Sequence, residues 1–148
     1  MRSQSHTERG VALVETVVAL GLIILVVAAG VEMGIRITLY SELQQAAREG
    51  ARVAAGIPAL TANHSNVMQS VDSRIQYKSL MSGISITNTA PFDGPAAITD
   101  HLGNRCDKMV TVTVSATQSF SLKRIALYSG PLITASTTMR YLAQPLCT

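Results

Sequence analysis

The chain lacks tryptophan and lacks any cluster of basic residues. Its 12 Lys and Arg residues exceed its 9 Asp and Glu residues, and the resulting net charge of +3 is spread along the chain. Proteins that bind nucleic acid concentrate positive charge in a patch or stripe that follows the phosphate backbone. The composition therefore predicts no nucleic-acid partner.

Cysteine and histidine are also scarce. The two cysteines, Cys106 and Cys147, lie far apart in the sequence, and the three histidines, His6, His64 and His101, are scattered. A zinc site needs more ligands at short spacing. Two cysteines instead suit a disulfide, which persists in an oxidising compartment such as the periplasm. Spacing alone leaves that bond open.

The motifs of enzymes are missing as well. The sequence contains no nucleophile elbow, no phosphate-binding glycine loop and no paired carboxylates in a plausible cleft. Asp93, Asp100, His101 and Asp107 follow one another in one region, but their spacing does not match the alternating ligands and central glycine of a calcium loop. We predict a protein that is not an enzyme, with no catalytic residue, metal or cofactor.

The chain does contain a long apolar run near its N-terminus. No polar side chain occurs from residue 17 to residue 31, and only Glu15 and Thr16 interrupt the run back to Val11. A helix of about 20 apolar residues crosses a bilayer core of roughly 30 Å. We therefore predict a permanent membrane-spanning helix. A cleaved signal peptide is the alternative, with a passable site at residues 28–30, but the helical pattern continues beyond it without a break.

The residues that flank the run predict its orientation. Arg2 and Arg9 precede it, and Glu8 is the one acid among them. Because positive flanks stay on the cytoplasmic side, the N-terminus should be cytoplasmic and the C-terminal domain should lie outside. We divide the chain into a leader at 1–10, the membrane part of a long helix at 11–34, its water-facing continuation at 35–57, and an extracytoplasmic domain at 58–148.

Apolar and small residues recur at helical spacing beyond the membrane segment. Leu39, Leu43 and Gly50 belong to this stripe, and Gly56 and Pro58 end the helix. Small residues allow another backbone to approach closely. We expect the stripe to pack against the domain's own sheet, with a neighbouring helix as the alternative.

The rest of the domain reads as one helix followed by strands. We predict a helix from Val67 to about Met81 that Gly83 ends, then a short strand at 84–87 and a long loop at 88–108. Residues 109–116 and 132–141 are the clearest strands, joined by a connection at 120–130. The fold class is α+β, with an antiparallel sheet of about three strands. Pairing the last two strands places Cys106 beside Cys147.

Glu15 is the unusual residue of the apolar run. A charged side chain near mid-membrane costs on the order of 2.5–3.5 kcal/mol on insertion scales. One explanation is that Glu15, about 6 Å along the helix from Val11, reaches the headgroup layer. The other is cleavage after Gly10, because the freed amine of Val11 could then be neutralised by Glu15 of a neighbouring subunit. Such a buried pair would fix the register of an assembly.

These residues carry a resemblance to a known family. The N-terminal half and the last predicted strand resemble TadE-like proteins, which are minor pilins or pseudopilins of Tad (tight adherence, Flp-type) pili. The matching features are Arg9-Gly10 before the apolar run, Val14-Glu15 inside it, Glu32 and Gly34 near its outer end, the run from Ala46 to Arg52, and residues 132–141.

The resemblance implies a pilin-like subunit that a prepilin peptidase cuts between Gly10 and Val11. Its expected partners are other pilins of the same filament, the prepilin peptidase, the assembly platform of the bacterial inner membrane, and membrane lipid. It implies an inner-membrane location with a periplasmic domain, and an extracellular pilus after assembly. Two alternatives remain: an uncleaved single-pass envelope protein with a ligand-binding or regulatory domain, and a secreted enzyme or binding domain whose mature form begins near Val31.

Overall fold

The computed structural model describes residues 5–95, 99, 106–119 and 132–142. Contacts between residues divide the chain into two compact units, Met1–Arg36 and Ile37–Thr148. The architecture is α+β, as predicted, with a long N-terminal helix, a second helix and an antiparallel sheet. The predicted connection at 120–130, along with Asp100, His101 and Cys147, lies outside the described residues.

Helix α1 spans Ser5–Gly56. In the first unit its apolar side chains are exposed, from Leu20 at 56% to Leu25 at 69%. Two polar contacts form along this part of the helix: Thr16 Oγ1 donates to the carbonyl of Ala12 at 2.8 Å, and Arg36 Nη2 lies 2.9 Å from Glu32 Oε1. By length and composition, α1 could cross a membrane.

In the second unit, one side of α1 forms the centre of the core. The stripe is fully buried at Leu39, Leu43, Ala46, Ala47, Ala51 and Ala54. A Cβ atom added to Gly50 would lie 2.4 Å from Val71 Cγ2 and 3.1 Å from Val112 Cγ1, so the second helix and the sheet both approach the backbone of α1 there. The prediction that the stripe packs within its own domain is confirmed.

Helix α2 spans Ser65–Arg74 and buries Val67 and Val71. The prediction that it continues to Met81 is wrong. The backbone N–H groups of Gln76 and Tyr77 donate to Glu42 Oε1 on α1, the second at 3.0 Å, and are therefore unavailable to a helix. A short 3₁₀ turn, Lys78–Leu80, leads into the sheet.

Strand β1 spans Met81–Asn88, longer than the predicted 84–87. Gly83, predicted to end the helix, lies inside this strand with φ +60°, where the pairing register shifts between Ser82 and Ser85. Glycine adopts positive φ without steric cost, which suits a bulge. The predicted loop that follows contains a two-residue strand, β2, at Phe92–Asp93.

Strand β3 spans Lys108–Gln118 and is the centre of a four-stranded sheet rather than one of about three strands. Strand β4, Leu132–Arg140, pairs antiparallel with β3 from Met109↔Arg140 to Thr117↔Leu132. Strand β1 pairs with β3 along the opposite edge. The inward residues Val110, Val112, Val114 and Ala116 are fully buried, as the alternating pattern predicts.

The turn after α1 is fixed by two residues from the sheet. Asn88 is buried, its Oδ1 accepts from the His64 N–H at 2.7 Å, and its Nδ2 donates to the Thr61 carbonyl at 2.9 Å. Tyr141 Oη donates to the Ile57 carbonyl at 2.6 Å and accepts from the Leu60 N–H at 3.4 Å. These bonds satisfy backbone groups that no helix or strand pairs.

Candidate assembly site

The predicted processing and register residues lie on one helix. Gly10, Val11 and Glu15 all fall within α1. Val11 and Glu15 are four residues apart, so they lie about one turn apart on the same side of α1. The side chain of Glu15 is exposed and forms no ion pair with a described residue. A carboxylate inside an apolar stretch therefore lacks a partner in the described part of its own chain.

The apolar surface around Glu15 is extensive. Large apolar side chains are exposed on every side of α1 in the first unit: Val11, Leu13, Val14, Val17, Val18, Leu20, Leu22, Ile23, Ile24, Leu25, Val26, Val27, Val31 and Met33. Soluble monomers rarely expose contiguous apolar patches of this kind. A helix that is apolar all round is covered by lipid or by other helices.

The predicted cysteine pair is half described. Cys106 is buried at 3% exposure, just before β3. Arg140 Nη2, at the end of β4, donates to the Cys106 carbonyl at 2.9 Å, so the end of β4 lies beside Cys106. Cys147 comes seven residues later and lies outside the described residues. The disulfide between Cys106 and Cys147 therefore stays a prediction.

The acidic residues once weighed as a calcium loop serve a backbone contact instead. The Gly94 N–H donates to the Asp107 carbonyl at 2.9 Å, and a Cβ atom at Gly94 would lie 2.2 Å from that oxygen. Among the described residues, no group of three or more His, Cys, Asp or Glu side chains could hold a metal ion. The described residues thus offer no metal centre near the proposed assembly surface.

One ion pair on the water-facing part of α1 shifts a pKa. Arg52 Nη2 and Nε donate to the Glu49 carboxylate at 2.7 and 3.1 Å. These hydrogen bonds lower the pKa of Glu49, although partial desolvation opposes them, and the charges of Arg52 and Arg74 lower it further. The same bonds raise the pKa of Arg52. Both groups are solvent-exposed, so the pair contributes little to stability.

The sequence did not indicate the structural roles of Glu42, Asn88 and Tyr141. Glu42 reads as one more polar residue on the outer face of a helix, yet its carboxylate binds backbone N–H groups 34 and 35 residues further on. Tyr141 bonds residues 81 and 84 positions earlier. Because their partners are backbone atoms, no residue pattern in the sequence records these contacts.

Together, an apolar helix that is exposed along its first unit and an α+β domain define a membrane-associated protein with an N-terminal helical anchor. Residues 10–52 match the family model for TadE-like proteins, which confirms the resemblance seen in the sequence. The match covers less than a third of the chain, beginning at Gly10 and ending within the buried stripe of α1. No curated protein and no solved structure matched the chain.

Proposed function

We propose that this protein is a minor pilin or pseudopilin that enters or primes a Tad-type pilus or a related secretion filament. It does so through its N-terminal helix, after a prepilin peptidase cuts between Gly10 and Val11. The observation that carries the proposal is the match to TadE-like proteins over residues 10–52, which spans the processing site, Glu15 and the exposed apolar part of α1.

The exposed helix supports an assembly role. Lipid covers it while the subunit is in the inner membrane, with the N-terminus in the cytoplasm and the α+β domain in the periplasm. In a filament, the same surface packs against the helices of other pilins. Packing of small side chains, rather than the hydrophobic effect, favours helix association in lipid, and Gly21, Gly30 and Gly34 have open space where a Cβ atom would be.

Glu15 supplies the register. After cleavage, the positively charged amine of Val11 in one subunit meets Glu15 of its neighbour. Breaking a buried pair by removing one partner costs about 3–5 kcal/mol, because the other charge is left uncompensated. A subunit that docks at the wrong height would suffer that cost, so the pair selects one register.

The expected disulfide fits a periplasmic domain. Residue 147 is seven residues from Arg140, which allows an extended reach of about 24 Å, and Arg140 already contacts the carbonyl of Cys106. Closing a loop of this length removes about 4 kcal/mol of unfolded-state entropy in the loop-closure view.

The first test is the mass of the native polypeptide recovered from cells. Cleavage after Gly10 predicts a mass lower by that of the first ten residues, with Val11 at the N-terminus. A polypeptide that keeps its initial methionine would contradict processing and would favour the uncleaved single-pass alternative. A mature chain that starts near Val31 would instead indicate a signal peptide.

The second test is Glu15→Gln with Glu32→Gln as its control. Both variants change a carboxylate of α1 to an amide, but Glu32 already has Arg36 as a partner within the chain. We expect Glu15→Gln to remain in the membrane and to be missing from sheared filaments, and Glu32→Gln to enter them. Normal incorporation of Glu15→Gln would show that the register argument is wrong.

A further inference from the structure

A polar hollow lies within the second unit, between α1 and the segment that follows α2. It has a volume of about 430 Å³, within the range of small-ligand pockets. Ser41, Glu42 and Gln45 line it from α1, and Arg74, Gln76 and Tyr77 line it from the other side. Four of these six side chains are neutral hydrogen-bonding groups, and the remaining two, Glu42 and Arg74, have opposite charges.

The negative charge of Glu42 is turned away from the solvent. Its Oε1 accepts the backbone N–H groups of Gln76 and Tyr77, and its Oε2 is buried. Glu42 therefore holds the wall of the hollow in place instead of presenting a carboxylate to a ligand. The charge that a ligand would meet is that of Arg74.

Arg74 is exposed and forms no ion pair with a described residue. Glu49 interacts with it electrostatically, but that carboxylate is hydrogen-bonded to Arg52. A guanidinium with neutral amide and hydroxyl groups around it suits an oxyanion with several acceptor oxygens, above all a phosphate group.

The position of the hollow in the chain indicates where that phosphate comes from. Ile37, which also lines the hollow, is three residues after Gly34. Consecutive Cα atoms are 3.8 Å apart, so these two residues are separated by at most about 11 Å whatever path the chain takes. Tyr40 and Tyr77 are each 47% exposed in this region, and tyrosine is enriched at membrane interfaces.

We infer that the hollow binds the phosphodiester headgroup of a membrane phospholipid, with Arg74 as the charged contact and Gln45, Gln76 and Tyr77 as neutral donors. The inference rests on the membrane anchoring in the proposed function, and not on cleavage or filament assembly. Binding there holds the domain close to the bilayer surface.

The test uses the full-length, uncleaved chain in uncharged detergent micelles, so its outcome does not depend on processing. Backbone amide signals of Gln76 and Tyr77 are followed by nuclear magnetic resonance during three titrations, with dihexanoyl-phosphatidylglycerol, with dihexanoylglycerol, and with inorganic phosphate. We expect saturable shifts with the phospholipid alone. Equal shifts with the phosphate-free lipid, equal shifts with inorganic phosphate, or no shifts at all would each overturn the inference.

Variants locate the contact. Arg74→Gln should weaken phospholipid binding roughly tenfold or more, since it removes a charge-assisted hydrogen bond. Arg48→Gln makes the same change on an exposed face of α1 away from the hollow and should bind as the unaltered chain does. Gln45→Glu, which adds a carboxylate to the lining, should also weaken binding and serves if Arg74→Gln does not fold. Unchanged affinity in a folded variant of either lining residue would overturn the inference.

Discussion

Residues 17–31 and residues 39–55 belong to one helix and are both rich in apolar and small side chains, but their surroundings differ. In the second stretch, α2 and the sheet approach so closely that a Cβ atom at Gly50 would overlap Val71. In the first, nothing lies within 4 Å of the corresponding position at Gly21. The difference shows that apolar character alone does not identify a core: one stretch is completed by its own chain and the other by lipid or a neighbour.

The largest expected effect comes from the same substitution made in both stretches. Leu43→Ala empties a fully buried position and should lower the free energy of unfolding of the domain by about 2–5 kcal/mol. Leu25→Ala, at a position 69% exposed, should leave it unchanged. Denaturant unfolding of the detergent-solubilised chain, followed by the circular dichroism of the sheet, measures both. Equal losses in the two variants would refute the contrast.

A buried amide offers a gain in stability on the covered side of the sheet. Gln118 is fully buried, and neither its Nε2 nor its Oε1 has a hydrogen-bond partner in the described part of the chain. An unsatisfied buried polar group costs about 1–3 kcal/mol. Gln118→Leu should therefore raise the domain's stability by a similar amount. Gln76→Leu, at an exposed position, is its control and should have no such effect. A lower melting temperature for Gln118→Leu would show that the amide is satisfied.

The glycines give a smaller effect. Gly50→Ala must push Val71 and Val112 aside, and overpacking of this kind costs typically about 1–3 kcal/mol, against a gain of about 1 kcal/mol in helix propensity. We expect a net loss in the domain's free energy of unfolding. Gly21→Ala meets no neighbouring atom and should show no loss. If Gly50→Ala were the more stable of the two, the close approach would be wrong.

The smallest effect concerns the exposed pair Glu49 and Arg52. Arg52→Gln removes the hydrogen bonds that lower the pKa of Glu49, so that pKa should rise toward its ordinary value. Because a lowered pKa stabilises the fold above the unfolded-state pKa and the benefit disappears as the pH falls through the folded-state value, any stability difference should vanish in acid. Carboxyl chemical shifts followed against pH measure the change. A Glu49 titration that Arg52→Gln leaves unaltered would contradict the assignment.

The parts of the fold that the sequence predicted correctly rest on periodicity. Leu39, Leu43 and Gly50 showed the buried stripe, and alternation at 109–116 showed the face of β3 that packs inward. The processing residues also came from sequence, through a resemblance that the family match over residues 10–52 confirms.

The errors have tertiary causes. Helix α2 stops at Arg74 because a carboxylate from another helix binds the next backbone N–H groups, and no property of residues 75–81 records this. Gly83 was interpreted as the end of a helix, whereas its positive φ serves a register shift inside β1. A glycine permits both structures, and pairing with β3 decides between them.

The contact made by Tyr141 has a consequence for how the chain is made. Its hydroxyl group closes the end of α1 by bonding residues synthesised more than eighty positions earlier. While the ribosome is still adding the middle of the chain, the carbonyl of Ile57 must be solvated by water. The helix can therefore enter the bilayer well before its exit is sealed, and the domain acquires its final hydrogen bonds after membrane insertion has begun.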